Sequence, residues 1–326
     1  MNERIDVSVI IPALNEEKVI GLCLDSLVKL DFPRNAFEVI LVDNGSTDRT
    51  LEIARSFSSV LNLTLLQKTG VHISSLRNLG ASKARGGIFA FLDSDCLVSP
   101  VWLTRAIALF NQENVGVVGA HYRIPDNSRW VARAWYGGLE SEKQGDLSWV
   151  PSGDLLVTRS TFERIGGFDA SIETNEDCEF CGRVRNTGLR VVSDSSIAVV
   201  HLGTPQTLSV FYHKIRWHST DALRVFLHDL PRISNARPLL FGLYTLICLA
   251  GAGLGMILAA RQRSVVIPAA FLGALLAPSF MLSLQLMFKR KRWSALFPLM
   301  LLHMVYGLAR GRSLLNFSNW ATLWRY

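Results

Sequence analysis

Two long uncharged runs set the strongest constraint on how this chain folds. Residues 238–260 are 23 residues without a charge, bracketed by Arg237 and Arg261, and residues 264–288 are 25 more, bracketed by Arg263 and Lys289. A helix needs roughly 20 residues to cross the hydrocarbon core of a bilayer, so either run is long enough to span. Helices buried in soluble cores rarely run so far without a polar face. A third run, 294–309, has 16 uncharged residues and includes His303. It suits a short span or a helix lying in the interface, giving a module of two or three transmembrane helices.

The charges divide at the same place. All 27 acids lie at or before Asp229, and the last 89 residues carry nine bases and no acid. The pI near 9.3 therefore belongs to the flanks of apolar segments. A nucleic-acid-binding domain would instead gather Lys and Arg on its own folded surface, so no nucleic-acid partner is expected. With 49% apolar residues, disorder, collagen-like repeats and a disulfide scaffold are excluded. Cytoplasmic flanks gather Lys and Arg. The connector 261–263 has two bases, Lys289 to Arg292 has four, and Lys214 to Arg237 has five. This asymmetry predicts a multi-pass protein of the cytoplasmic membrane whose large N-terminal domain faces the cytoplasm. The first apolar run, Val7 to Ile11, is too short for a signal core and follows Asp6. Five cysteines in that compartment imply free thiols, and Cys178 with Cys181 reads as two small apolar residues on a helix.

The first 200 residues alternate strand and helix. Strands are expected at Val7 to Ile11, Phe37 to Val42, Leu63 to Leu66 and Ile88 to Leu92, with helices over Glu16 to Leu30, Asp48 to Phe57 and Ser74 to Ala84. That rhythm predicts an α/β domain with a parallel sheet covered by helices on both faces. Ligands of such sheets bind outside the carboxyl ends of the strands. Three polar clusters stand at those ends: Pro12 to Glu17, Asp43 to Asp48, and Asp93-Ser94-Asp95. Turns and helix caps explain any one of them, but not their coincidence on one edge. In a strand, residues two apart share a side. Asp93 and Asp95 therefore suit a hard divalent cation, Mg2+ or Mn2+, that keeps water and takes further ligands from a diphosphate.

These motifs resemble the family 2 glycosyltransferases, which carry the A-type nucleotide-sugar fold. The resemblance rests on Val7 to Glu17, Val42 to Asp48, Arg77-Asn78-Leu79-Gly80 with Ala84-Arg85-Gly86, and Asp93-Ser94-Asp95. It continues through Gly166-Gly167-Phe168-Asp169, Glu176-Asp177-Cys178-Glu179, Arg183, Gly188 and His201, and covers residues 5 to about 203. What it implies is an inverting sugar transfer from a nucleotide diphosphate sugar, UDP or GDP type, assisted by a divalent metal. It further implies that Pro12, Glu16 and Asp43 hold the base and ribose, with Arg77 near the nucleotide or its phosphates. Asp93 and Asp95 match the family's Asp-x-Asp, Asp95 as the more direct metal ligand. Asn44 stands where many members have a second Asp, which puts in doubt any contact there that needs a charge.

Glu176 and Asp177 open an apolar-periodic stretch that reads as a helix, where acids meet the helix dipole favourably. By the resemblance, Asp177 matches the base that accepts the acceptor hydroxyl's proton, and Glu176 supports it. Direct displacement needs only one base when a metal neutralises the leaving diphosphate. Arg183, one turn from Glu179, suits an ion pair. A lone His at a strand end, as at His201 after the β-rich Ile197 to Val200, is ordinarily a surface or hydrogen-bonded residue; the resemblance lets it complete the metal shell or touch the diphosphate. Gln206 to Phe226 carries apolar residues between Lys214, Arg216 and Arg224, the pattern of an interfacial helix. His213 to Trp217 resembles the Gln-x-x-Arg-Trp element of processive polysaccharide synthases with His for Gln, which together with few spans argues against a polymer-extruding synthase.

The expected organisation is a catalytic domain at 1–205, amphipathic interfacial helices at 206–237 and an all-α transmembrane module at 238–326. The expected function is transfer of one sugar to a lipid-linked or membrane-proximal glycan in envelope or exopolysaccharide synthesis. Tethering at the bilayer gives such acceptors a high effective concentration. A sugar nucleotidyltransferase would carry a Gly-rich, basic triphosphate loop after the first strand, and Pro12 to Glu17 contains no Gly. A non-catalytic membrane scaffold is the other alternative, against which the intact Asp93, Asp95 and Asp177 speak.

Overall fold

The structure is a computed structural model that describes residues 5–222, 226, 236–262 and 265–315. It divides into two compact units, Met1–Asp126 with Tyr136–Thr204, and Asn127–Trp135 with Pro205–Tyr326.

The first unit is built on an eight-stranded sheet whose strands are β1 Val7–Ala13, β2 Phe37–Asp43, β3 Leu63–Gln67, β4 Ile88–Leu92, β6 Val115–Gly119, β7 Gly145–Asp146, β8 Asp154–Thr158 and β9 Arg190–Ser193. Their order across the sheet is β3-β2-β1-β4-β8-β6-β9-β7. β5 Cys96–Leu97 and β10 Val200–His201 form a separate antiparallel ribbon. Strands β1 to β4 are parallel, whereas β8 runs antiparallel to both β4 and β6. Their side chains alternate between two cores, Val7, Val9 and Ile11 facing one and Ile10 the other. The first core is covered by α1 Ile20–Val28, α2 Thr50–Ser56 and α4 Trp102–Leu109, and the second by α3 Ile73–Lys83, α7 Arg159–Ile165 and α8 Glu176–Asn186, while the short α6 Leu139–Glu142 precedes β7. α1 buries Ile20, Cys23, Leu24 and Leu27, the spacing of one helical face.

The chain passes from β1 outward through β2 and β3 and then returns to β4 on the other side of β1. That reversal opens a crevice at the carboxyl ends of β1 and β4. β1 pairs with β4 only from Val7 to Ile10, so Pro12 stands beyond the last pair. α3 lies close on β1 because Gly80 has no side chain; a Cβ there would strike Ile10. Phe168 plugs the second core, its ring 5.0 Å from Phe91 and 4.7 Å from Phe180. Full burial of a ring of this size contributes about 1.5–3 kcal/mol. Some boundaries differ from expectation. Residues 16–19 form a turn before α1, and Ile197 lies in the 3-10 turn Ser195–Ile197, leaving a two-residue β10.

The second unit is helical. Helices Arg237–Gln262 and Val266–Arg290 are the two, among the described residues, long and apolar enough to cross a membrane. A third helix, Leu296–Leu314, covers the run left open between span and interface. Close approach is made by glycines: a Cβ at Gly242 would crowd the Arg310–Gly311 backbone, and one at Gly251 the Phe271 ring. α5 Trp130–Trp135 and α9 Leu208–Trp217 bury Val131, Phe211 and Ile215 against Leu299, Leu302 and Ala309. α9 leaves Arg216 and Trp217 exposed. The rest of the expected interfacial stretch, 223–225 and 227–235, and connector residues 263–264 lie outside the described residues.

Candidate active site

Four segments of the first unit converge on the crevice. The first is the turn after β1. Asn15 adopts φ 55° and accepts from Thr47 N at 2.9 Å, Glu16 N donates to Thr50 Oγ1 at 2.7 Å, and Glu17 N to Asp48 at 3.1 Å. The turn is thereby fixed to the loop after β2. The Glu16 carboxyl is pushed up to about 7, first by burial and then by the charge of Asp95.

Asp43 is fully buried and accepts from Gly45 N at 3.0 Å, Ser46 N at 3.0 Å and Gln67 Nε2 at 3.3 Å. Its carboxylate shapes the turn at the end of β2. Asn44 bridges to Val71, donating at 3.0 Å and accepting at 3.3 Å, which ties this turn to the entry of α3.

The Asp93-Ser94-Asp95 segment follows β4. Asp93 Oδ1 accepts from Arg77 at 2.7 Å, and its Oδ2 stands 3.4 Å from the Tyr122 hydroxyl. Asp95 is less committed: His201 Nε2 lies 3.7 Å from its Oδ2. The β5–β10 ribbon makes that meeting, pairing His201 with Cys96, and Leu202 N holds the Asp95 carbonyl at 2.8 Å. Gly203 completes the pocket, since a Cβ would strike Asp95 Oδ2. Donor atoms of Asp95, Cys96 and His201 all lie within 4.8 Å of one another. Burial pushes the Cys96 thiol well up, and hard cations prefer oxygen, so Asp95 with His201 is the pair that fits a divalent ion.

The fourth segment is the start of α8. Asn175 enters it at φ 65°, and Glu176, Asp177 and Glu179 fill its first turn. Asp177 Oδ1 accepts from Cys178 N at 2.8 Å and Oδ2 from Ser152 N at 3.4 Å. Its carboxyl is raised above the ordinary range, first by burial and then by Glu176. Glu176 Oε1 accepts from both Arg77, at 2.6 Å, and Ser152 Oγ, at 2.8 Å. Arg183 pairs with Glu179 and donates to the carbonyls of Ile165 and Gly167, which locks the Gly-Gly-Phe-Asp loop to α8.

Thus Glu16, Arg77, Asp93, Asp95, Glu176, Asp177 and His201 come to one edge of the sheet, while the carboxylate of Asp43 is occupied by its own turn and Pro12 lies buried at the end of β1. Three residues of the site were not expected: Tyr122, Ser152 and Gly153. Gly153 N donates to the Tyr122 hydroxyl at 3.2 Å, and a Cβ on Gly153 would strike Asp93. Ser152 and Gly153 immediately precede β8, which runs antiparallel to its neighbours β4 and β6, so its beginning lies on the edge where they end. Polar residues just before a strand would have been the signal.

The sequence profile of Glycosyl transferase family 2 matches residues 8–164. Glycosyltransferase AglE of Haloferax volcanii is 30% identical over 207 residues, 61% of this chain and 67% of that protein. Poly(ribitol-phosphate) beta-N-acetylglucosaminyltransferase TarS of Staphylococcus aureus is 37% identical over 113 residues, 34% of this chain. The chain thus spans two thirds of the first relative and a fifth of the second. Among solved structures, the mannosyltransferase PcManGT from Pyrobaculum calidifontis, in complex with GDP-Man and Mn2+, shares the fold with a TM-score of 0.63 at 21% identity, over 96% of this chain and 88% of that one.

Proposed function

We propose, because this chain belongs to glycosyltransferase family 2, that it moves one sugar, with inversion, from a UDP- or GDP-linked donor to a lipid-linked or membrane-proximal glycan in envelope or exopolysaccharide synthesis. The observation that carries this reading is the joint placement of the Asp95–His201 pair and the Asp177 carboxyl on one sheet edge. Inversion by direct displacement needs an electrophile held on one side and a single base on the other.

In this reading Asp95 and His201 hold Mg2+ or Mn2+, with Asp93 beside them. The ion supplies charge neutralisation to the leaving diphosphate. Asp177 accepts the proton of the attacking hydroxyl on Oδ2, the oxygen that Ser152 N meets at 3.4 Å. Its raised proton affinity suits a base working near neutral pH. Pro12, Glu16 and the turn shaped by Asp43 form the wall for base and ribose. A retaining double displacement would use a second carboxyl as nucleophile; Glu176, next to Asp177 in the chain, is bound by Arg77 and Ser152.

The two apolar helices support attachment to a membrane, and the basic flanks Lys214 to Arg237 and Lys289 to Arg292 support a catalytic domain on the cytoplasmic side. The test is a panel of UDP- and GDP-sugars incubated with purified full-length protein and Mn2+ or Mg2+. Release of nucleoside diphosphate from one donor, enhanced by a lipid-linked acceptor, is expected. No turnover of any donor, with or without acceptor, contradicts the reading.

A further inference from the structure

Arg77 is among the largest fully buried side chains of the protein, with 1% of its surface exposed. Desolvating a guanidinium is costly unless carboxylates compensate it. Two do, one through each terminal nitrogen: Nη2 donates to Asp93 Oδ1 at 2.7 Å and Nη1 to Glu176 Oε1 at 2.6 Å. Its Nε is buried with no hydrogen-bond partner, and the guanidinium carbon lies 5.8 Å from the centre of the Phe168 ring. Both terminal nitrogens are committed to protein carboxylates, and burial leaves little surface for a phosphate oxygen to reach.

The two carboxylates come from different parts of the fold. Asp93 follows β4 and begins the metal-side segment, whereas Glu176 begins the helix that presents Asp177. Arg77 stands on α3, whose neighbouring residues make parallel links to the same region. Asn78 donates to Phe168 O at 2.7 Å and accepts from Phe168 N at 3.0 Å, and Ser74 Oγ donates to Ile172 O at 3.3 Å. Ser74, Arg77 and Asn78, three and four residues apart, form one helical row. That row carries the segment from Phe168 to Glu176.

We propose that Arg77 is a positioning residue that fixes the base-bearing turn of α8 against the metal-side segment, rather than a ligand of the donor's phosphates. This inference rests on the transferase reading above. Arg77 touches neither substrate nor reacting atoms; it acts through Glu176 and, by the shared Oε1, with Ser152. A guanidinium fork can span two carboxylates at fixed separation, and a lysine ammonium, one point charge, cannot hold both in that geometry.

The test compares wild type with Arg77→Lys and Ser152→Ala, both as full-length protein, by kinetics at saturating Mn2+, by calorimetry with UDP and GDP, and by amide hydrogen exchange. Arg77→Lys is expected to lower kcat about 100-fold, the scale of a misplaced catalytic group, while nucleoside diphosphate affinity moves less than about threefold. Ser152→Ala, which removes the second hydrogen bond to the same oxygen, is expected to lower kcat about tenfold with affinity unchanged. In both variants amides of 152–153 and of the first turn of α8 exchange faster, and those of β1 and β2 do not. Should Arg77→Lys not fold, the Ser152→Ala pattern decides in the same sense. A tenfold or larger loss of nucleoside diphosphate affinity at unchanged kcat would make Arg77 a phosphate ligand and overturn the proposal, as would wild-type kcat and exchange in both variants. If wild type turns over no donor, the transferase reading falls, and the exchange pattern alone still decides whether Arg77 holds α8 in place.

Discussion

His201 reaches to 3.7 Å from Asp95 because a two-residue ribbon, Val200–His201 against Cys96–Leu97, folds the chain back onto the acidic segment that ends β4. The pair sets an imidazole nitrogen beside a carboxylate at the end of β4, and the proposed cation site rests on it.

Removing the carboxylate at that site tests the metal assignment. Asp95→Ala in detergent-purified protein should abolish the dependence on added Mn2+ and lower turnover by several kcal/mol of transition-state stabilisation, about 3–4. Metal titrations of turnover with both proteins measure this. Equal metal dependence and turnover would rule the site out.

Gly203 supplies a gentler probe of the same place. A methyl group there would strike Asp95 Oδ2 and approach His201 Cε1 at 3.0 Å, so Gly203→Ala must displace one or the other. Mn2+ affinity should fall about 10- to 100-fold, the scale seen when the surroundings of a metal ligand are disturbed. Electron paramagnetic resonance of free Mn2+ reads the affinity, and a thermal melt within a few degrees of wild type separates the effect from unfolding.

The pH profile should report Asp177. Burial, and then the neighbouring Glu176, hold its carboxyl above the ordinary range, and a base works only when deprotonated. Activity therefore rises with pH on a limb displaced above the ordinary carboxylate value of about 4. Glu176→Gln removes the second cause, so the limb should move to lower pH. The same shift has the opposite sign for stability: the fold holds the proton more tightly than the unfolded chain, so this contribution weakens as pH rises through the raised value. A limb centred near the ordinary carboxylate range, or one unmoved in Glu176→Gln, would contradict the assignment.

Orientation can be checked without any substrate. Reporter fusions truncated after Asp229 and after Lys291 should report cytoplasm, and one at Gln262 the opposite side, as the basic flanks require. A cytoplasmic signal at Gln262 would replace the hairpin of two spans.

Much of the architecture was legible because the cues were local. Fully buried parallel strands such as Phe37–Asp43 read as continuous apolar runs, and the polar residues after them mark their carboxyl ends. The antiparallel strand Asp154–Thr158 broke that logic. Its useful edge is its beginning, so Ser152 and Gly153 went unread although they contact Glu176, Asp177 and Tyr122. The bridge made by Arg77 was hidden for another reason. Its two partners lie 16 and 99 residues away, and no pattern along the chain reveals which carboxylates a buried guanidinium will meet. Nor did periodicity show that Asn127–Trp135 leaves the first unit to pack with the C-terminal helices. Tertiary burial of Val131 and Trp135 decides that, not local propensity.

The account depends most on Asp177, and Asp177→Asn tests it directly. The substitution keeps size and shape and can still accept from Cys178 N, but it has no proton affinity in the working range. Donor affinity by calorimetry and transfer rate should be measured on the same folded protein. The account predicts that donor binding persists within about threefold while transfer falls by at least about 100-fold. A helix-capping role would be served almost as well by Asn. Transfer near the wild-type rate in a folded, donor-binding Asp177→Asn protein would therefore contradict the claim and pass the role of base to another carboxylate, with Glu176 the first to examine.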